Sequence, residues 1–118
     1  MLTIEDPDVM ATTLEPWPAL ETLDFVKVRT GTPRHSGRHL LGDADSPTQA
    51  GVWECTPGVF DYTFPDHELC KIVCGEVLLT DPQGRSRRLG PGGILITQRG
   101  DTLTWDIRQT VRKVFLTW

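Results

Sequence analysis

The sequence predicts an all-β fold, a sandwich or barrel of about eight to ten short strands with little helix. Three observations carry this prediction. Eleven glycines and nine prolines punctuate 118 residues, the pattern of short strands joined by turns. Several segments alternate apolar and polar residues, clearest where Phe60, Tyr62 and Phe64 alternate with Asp61 and Thr63, the period of a half-buried strand. No segment keeps a 3.6-residue apolar period over three turns.

The elements follow in order. Residues 1–21 bear prolines, including Glu15-Pro16-Trp17-Pro18, and have weak periodicity. They read as an extended arm, and residues 22–118 as one domain. Leu23 to Val28 carries aromatic and β-branched residues and predicts the first strand. From Thr30 to Gly51 the chain is polar and broken by glycine and proline, which predicts loop with one short strand near His39 to Leu41. Strands are then expected over Val52 to Cys55, Val59 to Phe64 and Leu69 to Leu79, the last interrupted by Gly75. Asp81-Pro82-Gln83-Gly84 is a turn with proline in its second place. Arg85 to Leu89 and Ile94 to Thr97 flank a second turn at Gly90-Pro91-Gly92-Gly93, with the arginines on a solvated side. Leu103, Trp105 and Ile107 alternate with polar neighbours, and a final strand spans Val111 to Trp118 with Val114, Leu116 and Trp118 on one face.

Composition narrows the function classes. Charged residues are 24% and hydrophobic residues 38%, values of a folded globular domain. Twelve basic against sixteen acidic side chains leave a net charge of −4, without the footprint that nucleic acid or an anionic membrane demands. The first residues are acidic where a secretory signal is basic, and apolar runs stop after a few residues. A cytoplasmic location is the expectation. Cys55, Cys70 and Cys74 form no Cys-x-x-Cys pair, so neither a zinc ribbon nor a disulfide framework is expected. His35 and His39 have a helical ligand spacing, but Pro33 and Gly37 oppose a helix, and they read as surface histidines.

Four segments in sequence order carry a family resemblance. They are Gly51-Val52-Trp53-Glu54-Cys55-Thr56-Pro57-Gly58, then Glu68-Leu69-Cys70 with Gly75-Glu76-Val77, then Gly100 with Thr104-Trp105, and Thr110-Val111-Arg112-Lys113-Val114-Phe115. Together they resemble a branch of small cupins that includes (S)-ureidoglycine aminohydrolase and the ethanolamine-utilisation cupin. The resemblance implies a single-domain jelly-roll β-barrel of the RmlC-like type and a homodimer formed by strand pairing between subunits.

The resemblance also implies where a metal would be held. The general cupin pattern is Gly-x5-His-x-His-x3-Glu-x6-Gly, with a third histidine in the second motif. Here Glu68 precedes Gly75 by the right interval, but Tyr62 and Phe64 stand at the histidine places and Leu103 at the third. Phenylalanine and leucine cannot ligate a divalent cation such as Mn, Zn, Ni or Fe. No metal and no other cofactor is therefore expected.

Strict alternation from Glu68 puts Cys70, Ile72 and Cys74 on its face. With Phe60, Tyr62, Phe64, Leu103 and Trp105 they form an expected apolar, aromatic pocket. Among such residues the Glu68 carboxyl is expected to have a raised pKa unless a cation lies close. Arg112 is in phase with Val114, Leu116 and Trp118 and is the expected cation, while Lys113 is expected to point the other way. Two readings stay open for Glu68. It is a structural residue bonded to Arg112 or backbone, or it is an acid/base or ligand anchor with Tyr62 beside it and Cys70 as a nucleophile. The first functional expectation is a binding module for a small polar metabolite, with no nucleic-acid or membrane partner. The alternative is an enzyme, a hydrolase, lyase or isomerase acting on a small nitrogenous or carboxylated compound. A third is an interaction protein using the arm, which requires Trp17 to be exposed.

Overall fold

Period-two alternation broken by glycine and proline becomes nine strands among the residues described, 8–118, in a computed structural model. They are β1 (Glu15–Pro16), β2 (Val26–Thr30), β3 (His35–Leu41), β4 (Gln49–Cys55), β5 (Gly58–Thr63), β6 (Glu68–Thr80), β7 (Ser86–Leu89), β8 (Ile94–Thr97) and β9 (Thr102–Thr117). The only helical piece among the described residues is a 3-10 turn at Leu20–Thr22. The all-β jelly-roll expectation holds.

The long strand β9 organises the barrel. Along one side it pairs with β4, from Gln49 against Thr117 to Cys55 against Val111. The same side continues with β5, from Gly58 against Ile107 to Thr63 against Thr102. Its other side pairs with β6 from Glu68 opposite Thr117 to Thr80 opposite Thr104. The chain breaks between β4 and β5 at Thr56-Pro57, and β6 has register shifts around Cys74 and Glu76. The break and the shifts fall at one level of β9, so the curled sheet folds into two packed layers. One holds β1, β3, β4, β8 and half of β6 and β9; the other holds β2, β5, β7 and the remaining halves.

Gly75 is the corner of β6. Its φ is +83°, and a Cβ there would lie 2.1 Å from the Thr110 carbonyl oxygen. The bend also changes which residues face in. Glu68, Cys70 and Ile72 are buried before it, Val77 and Leu79 after it. Between the layers Trp105 stacks on Phe60, 6.2 Å and 4° apart, and meets Trp53 edge-on at 5.8 Å. Leu20 from the 3-10 turn is fully buried in the same core. Burying each such side chain contributes roughly 2 kcal/mol before cavity effects.

Several boundaries differ from expectation. The strand expected over Leu23 to Val28 begins only at Val26, because successive turns close at Leu23 N–H to Leu20 O and Val26 N–H to Leu23 O. The polar segment expected to be mostly loop contains all seven residues of β3. Its backbone is held by pairing with β4, which overrides its weak apolar pattern. The two strands expected near the end are one, since Arg108, Gln109 and Thr110 continue the ladder. On that strand the inward face is Trp105, Ile107, Val111 and Lys113, not Val114, Leu116 and Trp118; Leu116 and Trp118 are exposed.

Gly75→Ala is expected to destabilise the fold by about 2 kcal/mol or more, through both strain and overlap. Chemical denaturation of the two proteins measures it, and an unchanged midpoint would remove Gly75 as the corner.

Candidate functional site

A cavity of about 480 Å³ opens within the barrel, in the size range of small-molecule sites. Its walls are aromatic: Trp53 from β4, Phe60 and Tyr62 from β5, Trp105 and Phe115 from β9, and Trp17 and Phe25 from the segments before β2. At its base Lys113 Nζ donates to Glu68 Oε2 at 2.5 Å, with both side chains almost fully buried. Lys113 is the register partner of Trp53 across β4 and β9. Its ammonium lies 4.7 Å from the Trp53 ring and 5.1 Å from the Trp105 ring, two cation–π contacts away from water. Burial works to lower the Lys113 pKa, and the facing Glu68 carboxylate outweighs it, so the ammonium is held above its ordinary value.

Lys113 replaces Arg112 as the cation of the pocket, a correction to the expectation. Trp105 and Lys113 lie eight positions apart, an even offset, and share the inward face of the unbroken strand. Arg112 faces outward, where Nε donates to Glu54 Oε1 at 3.1 Å and Nη1 to the carbonyls of Val9 and Thr12 at 2.9 and 3.0 Å. It fastens the start of the described chain to β4 and β9 and takes no part in the cavity.

Of the other expected pocket residues, Glu68, Phe60, Tyr62 and Trp105 do line the cavity. Phe64 lies behind Tyr62, with ring centres 4.8 Å apart, and is closed off from it. Cys70 and Ile72 are fully buried in the wall, and Leu103 packs half-buried against the core. Burial pushes the Cys70 thiol above its usual pKa, which opposes a thiolate nucleophile. Burial likewise pushes the Tyr62 hydroxyl up to about 12, against the pull of Lys113, so it is a neutral hydrogen-bond donor.

His35 and His39 are not surface histidines. They point from β3 into the cavity, because alternation on a strand also puts residues four apart on one face. The Trp53 indole N–H donates to His35 Nδ1 at 3.0 Å. Nδ1 is therefore the acceptor, and Nε2–H donates to the Pro18 carbonyl at 2.5 Å. Both bonds need the neutral ring, and burial lowers its pKa against the opposing effect of the Pro18 bond. Gln49 gives its amide protons to the carbonyls of Ala44 and Ser46, which leaves Oε1 to accept from His39 Nε2 at 2.9 Å. Trp17 stacks on His39, 5.1 Å and 22° apart. A Cβ on Gly37 would lie 2.3 Å from the Trp17 ring, so β3 needs glycine there for the indole to dock. Trp17 is half-buried in this wall, which removes the exposed anchor that an arm-mediated interaction requires.

The residues at the cupin metal positions do not fit a divalent cation. Tyr62, Phe64 and Leu103 offer at most one neutral phenol, and the Glu68 carboxylate already faces an ammonium. His67, the nearest imidazole in sequence, lies against Trp118 and accepts from the Arg99 N–H, away from Glu68. Among the described residues no three His, Cys, Asp or Glu side chains are grouped to hold a metal.

The ion pair has a pH signature. Because the folded pKa of Lys113 is raised above 10.5, its contribution is complete below that pH and is lost as pH rises through the folded value. Glu68→Gln removes the carboxylate and leaves burial opposed only by the two indole faces, which reverses the sign, so stability then rises with pH toward 10.5. The variant is expected to be roughly 3 kcal/mol less stable at neutral pH. Denaturation from pH 7 to pH 10 should show the gap to wild type narrowing; a constant gap would mean that Lys113 is not the titrating partner.

Comparison with known proteins agrees with this architecture. The EutQ-like cupin domain matches residues 42–115. The EutQ protein of Clostridium difficile has a similar structure, with a TM-score of 0.70 and 16% identity over 96% of this chain and 85% of that one. A DUF861-family protein of unknown function from Pseudomonas syringae has a TM-score of 0.78 and 23% identity over 92% of this chain. The match covers only 45% of that longer protein. The polyketide cyclase RemF of Streptomyces resistomycificus has a TM-score of 0.65 and 18% identity over 98% of this chain and 79% of that one. At these identities the likeness is one of fold. No curated protein matches the chain. With its motif residues in the barrel wall and more than half its length matched, the chain belongs to the EutQ-like cupin family.

Proposed function

We propose that this cupin is a binding module whose barrel holds a small polar metabolite without a metal. The observation that carries the reading is the aromatic cavity with the buried Lys113–Glu68 pair at its base. Aromatic walls supply apolar contact, while Lys113, Tyr62 and His39 supply a few directional polar groups, the usual division of labour in small-molecule sites. In this reading Glu68 anchors Lys113 rather than transferring protons, since its near oxygen is committed to the ammonium. The enzyme alternative, and with it the likeness to ureidoglycine-processing cupins, rests on family resemblance alone. A cytoplasmic location belongs to the same proposal and is supported by the free thiols of Cys55, Cys70 and Cys74.

A homodimer is part of the proposal. Leu69 is paired with Ile96 on one side and Leu116 on the other, which puts all three on the outer face of β8, β6 and β9. Ile94 and Ile96 are 59% and 66% exposed there. Among the described residues β8 pairs only with β6, so its other edge is available to the same strand of a second copy.

Protein purified without added metal is expected to contain no stoichiometric manganese, zinc, nickel or iron by elemental analysis. In a thermal-shift screen of small metabolites it should still respond to at least one. A stoichiometric ion would overturn the metal-free reading. Light scattering should give twice the mass of one chain, and Ile96→Glu should halve it; a wild-type monomer would end the dimer proposal.

A further inference from the structure

The cavity has unsatisfied donors but no spare charge. Lys113 Nζ has one oxygen partner, Glu68 Oε2, and otherwise only the Trp53 and Trp105 rings, centred 4.7 and 5.1 Å away. The Tyr62 hydroxyl, on the same cavity, has no hydrogen-bond partner among the described residues. Both groups can donate to an incoming oxygen. The charged side chains lining the cavity are Lys113, Glu68 and Asp66. Lys113 and Glu68 cancel, and Asp66 is balanced by Arg99 at 3.3 Å. His35 is held neutral by its two hydrogen bonds.

An anion entering this space would lose its water beside two carboxylates and find only an ammonium that is already neutralised. A cation would find the indole faces at the base taken by Lys113 and would be repelled by it. An uncharged carbonyl oxygen meets neither penalty, and it completes the donors of Lys113 and Tyr62. The aromatic walls favour a flat body behind that oxygen. We propose that the barrel selects a small, planar, uncharged carbonyl- or amide-bearing molecule over the anion or cation of the same shape. The proposal rests on the binding-module reading and names the ligand class for that site.

Benzamide, benzoate and benzamidine share one shape and are neutral, anionic and cationic at pH 7.5. Trp17, Trp53 and Trp105 line the cavity, so tryptophan fluorescence reports entry. Titration of the wild type is expected to show benzamide binding at least tenfold more tightly than either charged probe. Glu68→Gln removes one of the two carboxylates that repel an anion and should narrow the gap between benzoate and benzamide. Lys113→Met should weaken benzamide about tenfold, and circular dichroism reports whether each variant is folded. Tyr62→Phe removes one donor without touching the ion pair, and should weaken benzamide alone. If a charged probe binds the wild type as tightly as benzamide, the selectivity inference is wrong and the binding module stands. If none of the three probes perturbs the fluorescence at millimolar concentration, both fall together.

Discussion

Two opposite charges lie at the centre of an otherwise aromatic barrel, and much of the surrounding structure is arranged to tolerate them. Removing an ammonium and a carboxylate from water costs several kcal/mol for each ion. A single short contact between them does not recover that by itself. Here Lys113 also lies against the faces of Trp53 and Trp105, which solvate the ammonium electrostatically where water is excluded. Trp53 is in turn fixed through its N–H to His35, and His35 to the Pro18 carbonyl. The charge at the base thus depends on a chain of contacts that ends in the N-terminal segment.

Much of the fold could be read from local pattern. Phe60, Tyr62 and Phe64 alternate without interruption, and the structure leaves their phase unchanged. Gly75 was visible as a break in an apolar run, though not the phase change it imposes between Ile72 and Val77. The decisive loss of phase came on β9. The polar stretch Arg108-Gln109-Thr110 looks like the end of one strand, and restarting the count at the apolar Val114 sends Lys113 to the surface. Counting straight through from Trp105 sends it inward. The information was present, but choosing between the counts requires knowing that β9 is continuous, which is set by its neighbours on both sides.

Other parts of the site had no local signal. His35 and His39 lie in a polar, glycine-broken segment whose strand character comes from β4, a partner several residues further along. Trp17 reaches the cavity because Gly37 lacks a side chain, a contact between two segments that nothing in their composition links. Arg112 and Lys113 are adjacent cations of similar type, and each found a carboxylate, Glu54 or Glu68, on opposite sides of the same sheet. Their roles are set by orientation rather than residue chemistry.

The position of β9 in the chain has a consequence for biosynthesis. Every layer of the barrel closes on this strand, yet it leaves the ribosome after β4, β5 and β6, whose flanks it must cover. Until it emerges, those three strands expose apolar faces and open backbone edges to the cellular milieu, the state in which nascent β proteins are most prone to coalesce. Topology of this kind makes early folding unproductive, and it places a premium on rapid capture once the late segment appears.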